Sequence, residues 1–88
     1  MFYTYIIYSQ SRNRYYTGYT SATLQDRLDR HNNGMTLSTK SGIPWKFVFI
    51  KSFGNKTDAI KFENLIKRQK SREFIERLIR SDKNEIPE

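Results

Sequence analysis

Residues 45 to 53 read WKFVFIKSF, a β-branched and aromatic run with apolar side chains at odd and even positions alike. Successive side chains of a strand point to opposite faces, so this strand needs apolar cover on both sides. Helices must therefore lie over the sheet from two sides. The remainder of the chain supplies the partners. FYTYIIY (2–8) and YYTGYT (15–20) have strand composition, and the polar, turn-prone SQSRNR between them makes the pair a hairpin. SATLQDRLDRHNNG (21–34) has helical spacing, with Thr20 or Ser21 as its cap and Asn33–Gly34 as a left-handed stop. A loop, MTLSTKSGIP, leads into 45–53. After a break at Gly54–Asn55, Thr57 is expected to cap a helix through DAIKFENLIKRQK and Ser71 another through REFIERLIR. The order β-β-α-β-α-α predicts an α+β domain over residues 1–80, built on a small three-stranded antiparallel sheet flanked by helices. The polar tail 81–88, SDKNEIPE, is expected to fray.

At 88 residues the chain supports one modest core. Its longest apolar runs are far short of a membrane span, and its start lacks the basic region of a signal peptide. It contains no cysteine, which excludes disulfides and thiolate metal sites and fits a reducing cytoplasm. Sixteen Lys and Arg against nine Asp and Glu give a net charge of +7, a positive field suited to phosphate polymers or simply a soluble basic surface.

Several polar residues fall where apolar ones are expected. Leu24, Arg27, Leu28 and His31 form one helical stripe, so two leucines turn a guanidinium and an imidazole toward the sheet. Snorkelling of Arg27 and a favourable helix-dipole position for His31 are the plain explanations. On the helix after Asn55, Ala59, Ile60, Phe62, Leu65 and Ile66 sweep out an apolar arc that includes Glu63. A carboxylate there is costly unless it meets a cation such as Lys67 one turn on, a metal or strong donors. An even-membered hairpin loop puts Tyr5 and Tyr16 on one face, where each is ordinary strand packing taken singly. Gly18 would let another backbone or a ligand approach that strand. Taken together, two phenols, an arginine, a histidine and a glutamate suit phosphodiester hydrolysis. The carboxylate can hold Mg²⁺, the guanidinium can stabilise phosphate charge, and a phenol or imidazole can relay protons.

TYI (4–6), YTG (16–18), DRLDRHN (26–32) and Glu63 in AIKFENLIK occur in the order and spacing of the GIY-YIG nuclease domain, which the chain resembles from about residue 2 to 79. The likeness is closest to small stand-alone bacterial members, themselves similar to the catalytic domain of structure-specific endonucleases. Thr4 stands where the first signature has Gly, and Thr17 where the second has Ile. The resemblance implies hydrolysis of DNA phosphodiester bonds with one divalent metal, Mg²⁺ or Mn²⁺. It implies Glu63 as metal ligand, Arg27 as phosphate clamp, and Tyr16 as the phenol that activates water, with Tyr5 in support. His31 would move a proton or orient a phosphate, and Lys40 in STKSG would touch the DNA backbone. The expected substrate is branched, flapped or damaged DNA, with a repair protein as a further partner. The competing reading is a catalytically weak nucleic-acid-binding module of the same fold, accessory to a repair complex. A module that only binds has no use for a carboxylate near phosphates, which it would repel.

Overall fold

The computed structural model describes residues 1–87. Strands β1 (Phe2–Ser9), β2 (Arg14–Thr20) and β3 (Trp45–Phe53) alternate with helices α1 (Leu24–Asn32), α2 (Lys56–Gln69) and α3 (Arg72–Ile79) in the expected order. The sheet is antiparallel with β1 in the centre, in the order β2-β1-β3. Ser9 pairs with Arg14, so the hairpin loop is Gln10–Asn13, an even number of residues. It closes with Asn13 at φ 52°, a left-handed conformation that asparagine tolerates. Tyr5 therefore lies opposite Gly18 and Ile7 opposite Tyr16, and the two tyrosines share a face.

Both faces are covered. Tyr5, Ile7 and Trp45 pack with Leu28 of α1 on one side; Ile6 and Phe49 pack with Ile66 of α2 and Leu78 of α3 on the other. The continuous apolar run of β3 has a further cause. Ile6 pairs with Phe49 and Ile7 with Phe47, so Val48 is the extra residue of a β-bulge. Val48 then packs beside Phe49 in the α2–α3 cluster instead of alternating away from it. Burial of each such large side chain contributes about 1.5–3 kcal/mol. The buried Thr4 hydroxyl donates to the Ala59 carbonyl at 2.6 Å, which ties α2 to the centre of the sheet.

Several local readings are corrected. α1 is capped by Thr23, whose side chain accepts from the Asp26 N–H, because Thr20 is still buried in β2 and accepts from Ala22. α2 starts one turn early, capped by Asn55; Ser71 caps α3 as expected. The loop after Gly34 holds a short 3-10 helix, Leu37–Gly42. Leu65, placed in the apolar arc, is 37% exposed. The tail is docked rather than frayed. The Glu85 N–H donates to the Ile50 carbonyl at 2.8 Å, its carboxylate receives the Ser52 N–H and hydroxyl, and Asn84 accepts from the Ile50 N–H. Those contacts cover the outer edge of β3, which would otherwise offer bare backbone groups to another strand.

Gly18 also has a different purpose from the one expected. A Cβ on it would sit 2.6 Å from the Tyr5 hydroxyl oxygen and 2.8 Å from Cζ, so the close approach comes from Tyr5 itself and not from a ligand. Gly18→Ala is accordingly expected to displace the Tyr5 phenol and lower stability in urea unfolding by about 1–3 kcal/mol. Gly54→Ala, whose added carbon meets nothing within 4 Å, should stay within about 0.5 kcal/mol of the parent. Equal stability of the two variants would contradict this packing.

Candidate active site

Leu28 anchors α1 on the sheet and thereby turns Arg27 and His31, on the same stripe, onto the Tyr5 hydroxyl. Arg27 Nε donates to that oxygen at 3.0 Å, and His31 Nε2 lies 2.8 Å from it. On its other side His31 Nδ1 is 2.8 Å from the Thr39 hydroxyl, which donates its one hydrogen to the Thr36 carbonyl at 3.2 Å. Thr39 can then only accept from the ring. His31 therefore carries its proton on Nδ1, and Nε2 accepts from Tyr5. The chain of donors runs from Arg27 through Tyr5 to His31, Thr39 and the Thr36 carbonyl.

The 3-10 helix that supplies Thr39 is held in turn. Trp45 Nε1 donates to the Thr39 carbonyl at 2.7 Å, while the Asn32 amide brackets the Trp45 backbone, accepting from its N–H at 2.6 Å and donating to its carbonyl at 3.0 Å. Thr39 was not singled out in the sequence; a threonine in a short polar loop gives no signal. Lys40, which was, is exposed and stands outside this network, beside Gly34.

Burial, followed by the charges of Arg27 and Arg30, lowers the His31 pKa to about 4, so the ring is neutral near neutral pH. Burial also raises the Tyr5 pKa, with the Arg27 hydrogen bond and charge opposing it and the charges of Tyr16 and Glu63 adding to it. Both groups are 0% exposed and have their polar atoms engaged. Tyr16 differs. It is half-buried, its ring edge-on to His31 at 5.5 Å, and among the described residues no side chain bonds its hydroxyl. Arg27 is held only through Nε, so its plane is fixed while both terminal nitrogens lack partners among the described residues. Arg27 and Arg30 border a polar cleft of 330 Å³ at the end of β2.

Glu63 reaches the same region from α2. Its side chain is 13% exposed and pairs with Lys67 at 2.9 Å, and the Lys67 ammonium stands 5.9 Å from the centre of the Tyr16 ring. The structure thus joins Tyr5, Arg27 and His31 by direct hydrogen bonds, Tyr16 by ring contact, and Glu63 through Lys67. Lys67 is a member of the site that sequence reading treated only as a salt-bridge partner for Glu63. A wider cleft of 590 Å³ at Phe53, Phe62 and Leu65 contains neither a phenol nor an imidazole, so the chemistry belongs at the edge of β2.

Among the described residues no three His, Cys, Asp or Glu side chains converge as a metal cage, and both nitrogens of His31 are engaged. The one carboxylate, Glu63, suits Mg²⁺ or Mn²⁺, which keep waters and take substrate phosphate oxygens as further ligands, better than Zn²⁺. Lys67 would have to release it.

The buried histidine makes a pH prediction. Its folded pKa of about 4 is below the ordinary 6.5, so the unfolded chain binds the proton more readily and stability rises with pH between these values. The His31 contribution is fully restored above 6.5 and lost on acidification toward 4, by about 3 kcal/mol in all. In urea unfolding at about pH 7 and about pH 4.5, the parent should lose roughly 2 kcal/mol more than His31→Gln does. The same loss in both would contradict a neutral buried ring.

The GIY-YIG catalytic domain family matches residues 1–76. A UPF0213 protein of Streptococcus agalactiae serotype V is 37% identical over 71 residues, covering 80% of this chain and 78% of its own. A UPF0213 protein from serotype III of that species matches to the same extent, and one from Streptococcus pneumoniae serotype 4 is 37% identical over 57 residues, 64% of this chain and 57% of its own. No solved structure matches. The family match spans the hairpin, α1 and α2, the elements that carry all five assembled residues, and its domain is of nuclease type. The chain belongs to the GIY-YIG catalytic domain family.

Proposed function

We propose that this protein is a divalent-metal-dependent endonuclease that hydrolyses phosphodiester bonds in DNA, with branched, flapped or damaged DNA as its substrate. The observation that carries the reading is a guanidinium fixed through Nε, with both outer nitrogens bare, on the same sheet face as an unpartnered phenol. Arg27 would take the non-bridging oxygens of the scissile phosphate through those nitrogens and stabilise the charge that grows there. Tyr16 would hold the attacking water with its hydroxyl oxygen. As the new P–O bond forms and the old one breaks, the water's proton passes through the phenol to solvent, and the departing oxygen takes a proton from solvent. Glu63 would hold Mg²⁺ or Mn²⁺, which supplies neutralisation of phosphate charge.

Tyr5 and His31 are positioning residues in this reading. Neither has a free polar atom to give to substrate, so the proton-transfer role expected of His31 passes to its fixing of Tyr5, and through Tyr5 of Arg27. Lys40 has no part in the chemistry and at most meets the DNA backbone. A cytoplasmic site of action and a repair protein as partner belong to the same proposal; no helix is long and apolar enough to cross a membrane.

The second reading, a nucleic-acid-binding module with little turnover, has one observation in its favour. Lys67 already neutralises Glu63, as a metal would. An assay on duplex, flap and branched DNA with Mg²⁺ or Mn²⁺, and with chelator, separates the two. The nuclease reading expects cleavage that chelator abolishes and that Glu63→Gln lowers about 10²-fold or more. DNA binding by Glu63→Gln should be retained or slightly tighter, because a negative charge near phosphate is gone. Wild-type protein that binds these DNAs and cuts none of them establishes the binding module. Normal cleavage by Glu63→Gln removes Glu63 from the metal site.

A further inference from the structure

A second cleft, of 360 Å³, lies between β2 and the α2–α3 junction, and Tyr16 forms part of its wall. Its floor is apolar, from Ile66 and Ile75, and its rim is cationic. Two of the rim cations are committed elsewhere: Arg72 bonds Asn13 and Glu76, and Lys67 pairs with Glu63. The other two, Arg14 and Lys70, are exposed and have no side-chain partner among the described residues. Lys70 ends α2 in a left-handed conformation, φ 47°, which costs a lysine about a kcal/mol and places its ammonium at this cleft instead of along the helix. The capped N-terminus of α3, at Ser71, opens on the same space. β2 is an edge strand, so no further strand closes the cleft from outside.

We propose that this cleft receives an unpaired nucleotide next to the scissile phosphate, its base against the apolar floor and its phosphate on Arg14 and Lys70. The inference rests on the nuclease reading and adds the substrate class: DNA with a single-stranded arm at the cut. Charge complementarity selects a phosphate polymer, and size selects a single strand. A volume of 360 Å³ admits one nucleotide, whereas a duplex, whose minor groove alone is about 6 Å wide, can only lie across the mouth. Apolar and aromatic surfaces hold unpaired bases without regard to sequence, since every base has a flat apolar face. The polar Arg27–Arg30 cleft at the far end of β2 offers no comparable floor, so the two ends of the strand are matched to different arms of the substrate.

The test is binding by the full chain, in chelator so that nothing is cut, to a labelled oligothymidine and to a blunt duplex of equal length. Arg14→Gln combined with Lys70→Asn removes both free charges, and asparagine keeps the left-handed backbone. Lys70→Gly in place of Asn provides a second double variant, and urea unfolding checks that each is folded. Loss of single-strand affinity by about fivefold or more, with duplex affinity within about twofold, is the expected result, together with a salt slope for the single strand reduced by about 1.4, or 0.7 per phosphate contact. Equal weakening of both ligands, or of neither, overturns the cleft assignment and leaves the nuclease reading standing if wild-type protein still cleaves. Wild-type protein that binds neither ligand overturns both.

Discussion

The Tyr5 hydroxyl is the point on which the site depends. It accepts from Arg27, donates to His31 and fills the space that a side chain at position 18 would occupy. Each of those three relations comes from a different element: α1 supplies both nitrogens, β1 the phenol, and β2 the vacancy. Because the oxygen is fully buried, an unmade bond there would leave a polar group without water, at a cost of about 1–3 kcal/mol. The network is therefore satisfied throughout or it opens. No buried side-chain nitrogen or oxygen among the described residues lacks a partner. The orientation of Arg27 follows from this, and so does the protonation of His31, which must be neutral to accept from Tyr5.

Burial divides the labour between two tyrosines that are alike in sequence. Tyr5 has given its proton to a buried imidazole and its lone pair to a guanidinium, and burial raises its pKa further from neutrality. Tyr16, two residues before Gly18 on an edge strand, keeps its hydroxyl at the surface beside Lys67. The same edge is lined by cations at both ends, Arg27 and Arg30 near Thr20 and Lys70 near Arg14. An excess of seven positive charges is thus not spread evenly in its consequences: it borders the strand where the unpartnered phenol lies.

Features governed by period were legible in the sequence. The two-sided pattern of residues 45–53 required helices on both faces, and the even loop put Tyr5 and Tyr16 together. The stripe on α1 brought Arg27 and His31 to the sheet. Features governed by tertiary contact were not legible. Thr39 meets His31 only because Trp45 and Asn32 hold the 3-10 helix in place, and no local pattern encodes that. A glycine in a strand announces a close approach but not what approaches. Thr23 and Thr20 are equally good caps until β2 is seen to run through Thr20. Asn84 and Glu85 look like any polar tail until the bare edge of β3 is known to lie beside them.

The central claim is that Tyr16, and not the packing around it, carries the chemistry of a site that Tyr5 holds in shape. Tyr16→Phe removes one oxygen that bonds no side chain among the described residues, so the fold loses almost nothing. Its single-turnover cleavage rate, at saturating metal and DNA, measures the claim directly. The rate should fall by about 10²–10⁴-fold with the urea midpoint unchanged. A rate equal to that of the parent would return Tyr16 to the role of a packing residue and contradict the assignment.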